Sequence, residues 1–325
     1  MMKYKDKIKY KPKPEFIERI EKLIGQEAEK FFEISYTETP DSIRCNTLKI
    51  SPEELKMRLE DYGWKIKQPF SEYPEAMIIE SHLSPGELGK TKEHLLGYYY
   101  VQEISSMLPI LALKPRPDDL FLDLCASPGS KTTQAAAMMN NFGLIIANDT
   151  DLGRIAILNS NLEKCGVMNT IVTRKDGIRL CETLLKKTNM KFDKIIVDAP
   201  CSGEGTLRKS PKTFLMWNIN FIKKLSRIQK KLASSALELL KTGGEMIYST
   251  CTLSPEEDEE VVDYLVRNFN IEIEEIKLPL KLRCGVCEWG GQEYSPEVRK
   301  AVRLYPHDNN TDGFFLAKIR KLGEK

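Results

Sequence analysis

Asp123-Leu-Cys125-Ala126-Ser127-Pro128-Gly129-Ser130-Lys131-Thr132 is the stretch that decides the fold. It joins an apolar run, Leu120 to Leu124, to a helical pattern, Lys131 to Met139. A strand that turns into a helix in this way presents backbone amides and a helix N-terminus to a ligand. Downstream, strand patterns at Leu144 to Asn148, Asn169 to Thr173, Ile195 to Val197 and Met246 to Ser249 alternate with helices at Arg154 to Lys164 and Cys181 to Lys187 and a basic helix. This alternation predicts an α/β fold with a parallel, doubly wound sheet, closed by Phe314 to Ile319 as one late antiparallel edge strand. A second capping box, Ser254-Pro255-Glu256-Glu257, is expected to open another helix. Upstream, a helix is expected over residues 15 to 33. Ser51-Pro52-Glu53-Glu54 is a capping box opening a helix to about Tyr62, and Ala76 to Ile79 reads as a strand. The reading divides the chain into residues 1–100, a helix and a small α+β unit, and residues 101–325, the larger domain.

The loop excludes two nucleotide sites. Lys131 does not directly follow Gly129, so it is not a P-loop, and it has one glycine where a dinucleotide fingerprint needs three. Asp149 ends the second strand about 20 residues on, where an acid can accept both ribose hydroxyls. Asp176 follows the third strand and suits an adenine amino group, and Asp198 follows the fourth. One aspartate at a strand end is a common cap; three in succession predict S-adenosylmethionine. Its expected contacts are residues 125–131 with Asp149, Arg154, Asp176 and Asp198.

Two cysteines predict the chemistry. Cys201, in Asp198-Ala-Pro-Cys201-Ser-Gly203, and Cys251, in Tyr248-Ser-Thr-Cys251-Thr252, each follow a strand pattern, so both thiols should face one crevice. A lone cysteine is more often a small buried hydrophobe. Two at matching strand ends, one beside a carboxylate, favour reactivity.

The chain has 325 residues, 41% hydrophobic and 30% charged, enough for a full core. It lacks a long apolar run or a signal-peptide core, so a cytoplasmic protein without membrane attachment is expected, acting as a monomer. Eight cysteines without a dense framework fit reduced thiols, and Cys284-Gly-Val-Cys287 with only three histidines in the chain predicts no metal site. The net charge is +2, but Gly205 to Lys231 holds eight basic residues and no acid. Arg208, Lys209, Lys212, Lys223, Lys224 and Arg227, interleaved with Phe214, Trp217 and Phe221, suit RNA phosphates and stacked bases. A solvated amphipathic helix is the competing reading, and both can hold. Lysines at 3, 5, 7, 9, 11 and 13 form an RNA-touching arm or a solvated tail.

DLCASPGSKT, IIANDT, Asp176-Gly177, DAPCSG and YSTCT in this order resemble the Sun (Fmu-type) family of RNA cytosine carbon-5 methyltransferases. The resemblance extends to Arg44-Cys-Asn46, Val101-Gln-Glu-Ile-Ser-Ser-Met107, Arg303-x-x-Pro306 and Asp312-Gly-Phe-Phe315, and so covers nearly the whole chain. Ser130 stands where many relatives have a second glycine. Together with Asn148-Asp-Thr150, Arg227-Ile-Gln-Lys230 and Pro306-x-Asp308-Asn, it moves the likeness toward the archaeal and eukaryotic multisite tRNA enzymes. The resemblance implies a Rossmann-like S-adenosylmethionine-dependent methyltransferase domain behind a small N-terminal RNA-binding domain, in which Arg44 and Asn46 touch RNA. It implies neither a NusB-like nor a PUA domain. It assigns the attack on cytosine carbon 6 to Cys251 and the resolution of the adduct to Cys201. Asp198 would hold the pyrimidine edge, and Lys131 would either favour a thiolate or orient Asp198, unless it is a plain surface or phosphate lysine. Aromatic residues of the basic helix would fill the gap left by a flipped base. The expected substrate is tRNA; rRNA is the nearest rival, and a thiol redox protein or a non-catalytic RNA-binding factor are more distant ones.

Overall fold

The computed structural model describes residues 10–324, so Lys3, Lys5, Lys7 and Lys9 of the expected arm lie outside the described residues. A small antiparallel sheet contains β1 (Asp41–Cys45), β2 (Ile66–Lys67), β3 (Ala76–Ile79) and β4 (Tyr99–Val101), in the order β2-β3-β1-β4. Its inner face and the helix Pro52–Glu60 share one cluster, with Ile43, Leu55, Leu59, Met77 and Tyr99 buried together.

The large sheet has nine strands. Its parallel part is β5 (Leu120–Asp123), β6 (Leu144–Asp149), β7 (Thr170–Arg174), β8 (Phe192–Asp198) and β9 (Leu240–Thr250), ordered β9-β8-β5-β6-β7. Near-continuous apolar runs such as Ile195–Val197 are fully buried, as strands covered by helices on both faces require. The chain builds outward from β5 through β6 and β7, then returns to β8 on the other side. This reversal opens a crevice at the carboxyl ends of β5 and β8.

Beyond β9 come β10 (Ile271–Glu274), β11 (Arg283–Cys284), a hairpin of β12 (Glu288–Trp289) and β13 (Gln292–Glu293), β14 (Val302–Leu304) and β15 (Phe314–Lys321). β15 is antiparallel to β9 but is not an edge: β14 pairs with its first half and β10 with its second. The expectation of a single late edge strand is corrected because β14 and β10 are too short to show a period-2 pattern.

Two further expectations change. The helix foreseen over 15–33 is two, Pro14–Ile24 and Ala28–Ser35, broken at Gly25, whose φ of 60° lies in the left-handed region. Phe16, Ile20 and Phe31 pack against Leu207, Phe214, Trp217 and Ile222 of the large domain, away from the small sheet. Ser254 opens no helix; the helix runs Glu259–Asn268. The Ser254 hydroxyl donates to Glu204 at 2.7 Å, and Glu257 accepts from the Ser202 amide at 3.0 Å, so tertiary partners take the groups a capping box would use. No helix among the described residues is long and apolar enough to cross a membrane.

Candidate active site

Asp198 ends β8 directly opposite Ser249 of β9. The Ser249 hydroxyl donates to Asp198 Oδ1 at 2.8 Å, and Lys131 Nζ pairs with Oδ2 at 2.8 Å. Lys131 belongs to the first turn of the helix Ser130–Met138, is buried, donates to Ser106 Oγ at 3.2 Å and lies 5.6 Å from the Phe314 ring centroid. Both oxygens of Asp198 are thus oriented by donors from different elements.

The adjacent strand ends bring the two cysteines together: Cys201 Sγ and Cys251 Sγ are 3.0 Å apart, both as free thiols. The hydrogen bond with Cys251, reinforced by burial, pushes the Cys201 thiol well above its usual value. The two sulfurs are within hydrogen-bonding reach, and either can be the donor.

The turn carrying Cys251 is held from behind. The Gly205 amide donates to the Cys251 carbonyl at 2.9 Å, and the Gly313 amide donates to the Gly205 carbonyl at 2.8 Å. A Cβ on Gly205 would fall 2.8 Å from the Cys251 carbonyl oxygen and closer still to that of Gly313, so glycine is required by backbone contact. Thr250 Oγ1 donates to Asp258 Oδ1 at 2.6 Å, and the Tyr248 hydroxyl to the Glu257 carbonyl at 2.6 Å. Arg303, buried against Glu259 and Asp258, donates to the Leu253 carbonyl at 3.0 Å.

Two buried carboxyls nearby went unnoticed in the sequence. Burial pushes Asp123 up to about 7; its Oδ2 accepts from Thr132 Oγ1 at 2.7 Å. Burial likewise pushes Glu257 up to about 7, beneath the Cys201 loop. Acids inside strand-loop motifs carry no pattern of their own, so only their packing distinguishes them.

A pocket of about 450 Å³ lies against the cysteines, bordered by Ser127, Asp149, Asp176, Ile178 and Leu232. Asp149 is buried, accepts from the amides of Thr150, Asp151 and Ser127, and pairs with Arg154 at 3.1 Å. Arg154 also donates to the Ser127 carbonyl at 2.8 Å. Asp176 caps the helix Gly177–Thr188 and borders the pocket as well. Gly129, with φ of 103°, forms the N-cap of Ser130–Met138. The Cys125 thiol is pushed up by burial. Acids beside apolar walls, in a volume typical of small-molecule sites, fit an adenosine with its hydroxyls and amino group. A second pocket of about 370 Å³ shares Cys125, Ser127 and Asp198 with the first and continues past Lys131 and Phe314 to Lys209 and Asp312.

The residues foreseen as RNA contacts separate into two groups. Lys209, Lys212, Lys223, Lys224 and Arg227 are exposed, as is Phe221. Arg44, Asn46, Arg208 and Trp217 are buried within the protein, which corrects the expectation that they face RNA. Arg44 donates to the Ser130 carbonyl and to Thr133 Oγ1, Asn46 to the carbonyls of Gly97 and Cys165, and Arg208 to the Thr311 carbonyl and Asn310 Oδ1. Trp217 Nε1 donates to Glu204 Oε1 at 2.7 Å, and its ring packs 5.9 Å from that of Phe16. Phe214 is buried too, leaving Phe221 as the exposed aromatic of the basic segment. Of the metal-ligand types, Glu27, His307 and Asp308 are the one group of three drawn together among the described residues, and the Arg283 guanidinium already pairs with both acids.

Residues 110–320 match the family described as 16S rRNA methyltransferase RsmB/F, and residues 13–104 match the N-terminal domain of 16S rRNA methyltransferase RsmF. The chain is 42% identical over 320 residues to a tRNA (cytosine(49)-C(5))-methyltransferase of Pyrococcus abyssi, covering 98% of this chain and 99% of that one. It is 38% identical to the ribosomal RNA small subunit methyltransferase F of Vibrio campbellii, spanning 63% of that longer protein. A crystal structure of a methyltransferase homolog protein from Pyrococcus horikoshii superposes with a TM-score of 0.85 at 36% identity, covering 98% of this chain and 99% of that one. The strand-end aspartates, the cofactor-sized pocket, the paired cysteines and these matches together make the chain a member of the RsmB/F (Sun) family, an S-adenosylmethionine-dependent RNA cytosine-5 methyltransferase.

Proposed function

We propose that this protein forms 5-methylcytosine in tRNA through a covalent bond between Cys251 and cytosine carbon 6. The observation that carries this reading is the 3.0 Å approach of Cys201 and Cys251 beside Asp198. Correspondence over the full length of a tRNA enzyme, against 63% of the rRNA enzyme's length, favours tRNA; the family's rRNA members supply the second reading.

Residues 125–131 with Asp149, Arg154, Asp176 and Asp198 would hold S-adenosylmethionine, which would supply the methyl group. Arg154, more than half exposed, pairs with Asp149 at the pocket rim where the ribose hydroxyls would bind. Cytosine carbon 5 is a weak nucleophile; the Cys251 sulfur, losing its thiol proton to water, would add to carbon 6, and the electron density this places on carbon 5 would take the methyl. Asp198, fixed by Lys131 and Ser249, binds the amino group and shares a proton with ring nitrogen 3. Cys201 would then relay the carbon-5 proton to water, releasing its own thiol proton as it takes that one. The electron pair left behind forms the 5,6 double bond and expels Cys251 as a thiolate. Lys209, Lys212, Lys223, Lys224 and Arg227 receive phosphates, and Phe221 is the aromatic available to the gap left by the flipped cytosine. Tyr100 and Val101 of the small N-terminal sheet border the second pocket, as do Lys209 and Asp312.

Transfer of labelled methyl to separate tRNA, rRNA and DNA pools tests the reaction, with label expected in 5-methylcytidine from tRNA. Label mainly from rRNA would replace the substrate, and no label would remove the reaction. Cys251→Ala is expected to abolish transfer without an adduct, whereas Cys201→Ala accumulates a denaturant-stable protein–RNA adduct. Exchanged phenotypes would reverse the two roles.

A further inference from the structure

The carboxylate of Asp312, just before β15, has one oxygen that nothing in the reaction above accounts for. Asp312 borders the second pocket together with Lys131, Asp198 and Phe314. It is only 4% exposed, so bulk water does not satisfy it. Its Oδ2 pairs with Lys209 Nζ at 2.7 Å, while its Oδ1 is buried and accepts no hydrogen bond from the described residues. A buried acceptor without a protein donor is costly and rare, and on a residue of a pocket wall a ligand is one source of that donor.

The surroundings narrow that donor. Glu103 lies behind, accepting the Asp312 amide at 3.2 Å, and burial with the neighbouring Asp312 charge pushes its carboxyl up. Lys209 is 48% exposed, so the ion pair stands at the rim, where the phosphates of a polyanion enter. The base end of the pocket is the Lys131–Asp198 pair. Between a phosphate and a base lies the ribose, whose 2′-hydroxyl is the donor RNA has and DNA lacks. We propose that Asp312 Oδ1 accepts a hydrogen bond from the 2′-hydroxyl of the target nucleotide, which makes Asp312 the residue that selects ribocytidine over deoxycytidine. The inference rests on the cytosine-methylating reading above.

The test compares full-length wild-type and variant proteins on one tRNA transcript carrying either ribocytidine or 2′-deoxycytidine at the methylated position. In the wild type the deoxy substitution is expected to lower kcat/KM about 10- to 100-fold, the range for a hydrogen bond to a charged acceptor. In Asp312→Ala the two transcripts should react within about twofold of each other, near the wild-type rate on the deoxy transcript. Where the alanine protein fails to fold, Asp312→Asn, of equal size and with a neutral acceptor, should reduce the deoxy penalty to about fivefold. An undiminished penalty in the variants, or none in the wild type, overturns the role of Asp312. Absence of methylation of the ribocytidine transcript by the wild type instead overturns the parent reading.

Discussion

Replacing Arg44 by alanine separates a residue that contacts RNA from one that holds the protein together. The guanidinium is buried, and burial lowers its pKa to about 10. It donates to the Ser130 carbonyl at 2.7 Å, to Thr133 Oγ1 at 2.8 Å and to Gln102 Oε1, and lies 5.5 Å from the Tyr100 ring centroid. Hydrogen bonds from a charged donor contribute about 1.5–3 kcal/mol each, and truncation leaves the Ser130 and Gln102 acceptors without that donor. Relief of the buried charge offsets part of this, so the net loss is about 3–5 kcal/mol. A chain of 325 residues unfolds with an entropy near 0.7 kcal/mol per degree, which converts the loss to a melting point roughly 4–7 °C lower. Thermal unfolding and RNA titrations over a range of salt concentrations measure both sides. At temperatures where the variant is folded, its RNA affinity and salt slope should match the wild type. A melting point within about 1 °C of wild type, combined with weaker RNA binding and a salt slope smaller by about one, would refute the argument and return Arg44 to the RNA surface.

Gly205→Ala should push the Cys251 carbonyl out of place, lowering methyl transfer more than about tenfold and stability by about 1–3 kcal/mol, while cofactor affinity by calorimetry stays within about twofold. Unchanged transfer would show that the Cys251 turn does not depend on this contact. Glu257 has a folded pKa of about 7 against an unfolded value of 4.5, so the stability it contributes is full below pH 4.5 and is lost as pH rises through 7. Glu257→Gln removes that dependence while keeping an acceptor for Ser202 and Gln229. Unfolding free energies from urea titrations should coincide with wild type near pH 4.5 and exceed it above pH 7 by up to roughly 3 kcal/mol; an offset constant across pH would contradict the assignment.

Read alone, the sequence determined the alternating strands and helices, because their periodicity and glycine-turn chemistry are local. It also determined that Asp149, Asp176, Asp198, Cys201 and Cys251 stand at strand ends, and the parallel crossover rule was enough to put those ends on one side of one sheet. What local pattern could not carry is partner choice. An arginine in a basic run reads the same whether it meets a phosphate or a carbonyl, yet Lys223 and Lys224 are exposed while Arg208 is enclosed by Thr311 and Asn310, about a hundred residues away. Ser254 and Glu257 read as a helix cap, but Glu204, Ser202 and Gln229 compete for them with stronger buried hydrogen bonds. The 3.0 Å between the sulfurs, the backbone contact of Gly205 with Gly313 and the bare oxygen of Asp312 arise only where β8, β9 and β15 converge. Tertiary structure decided these, because burial removes water as an alternative partner and leaves each polar group dependent on whichever distant residue the fold brings to it.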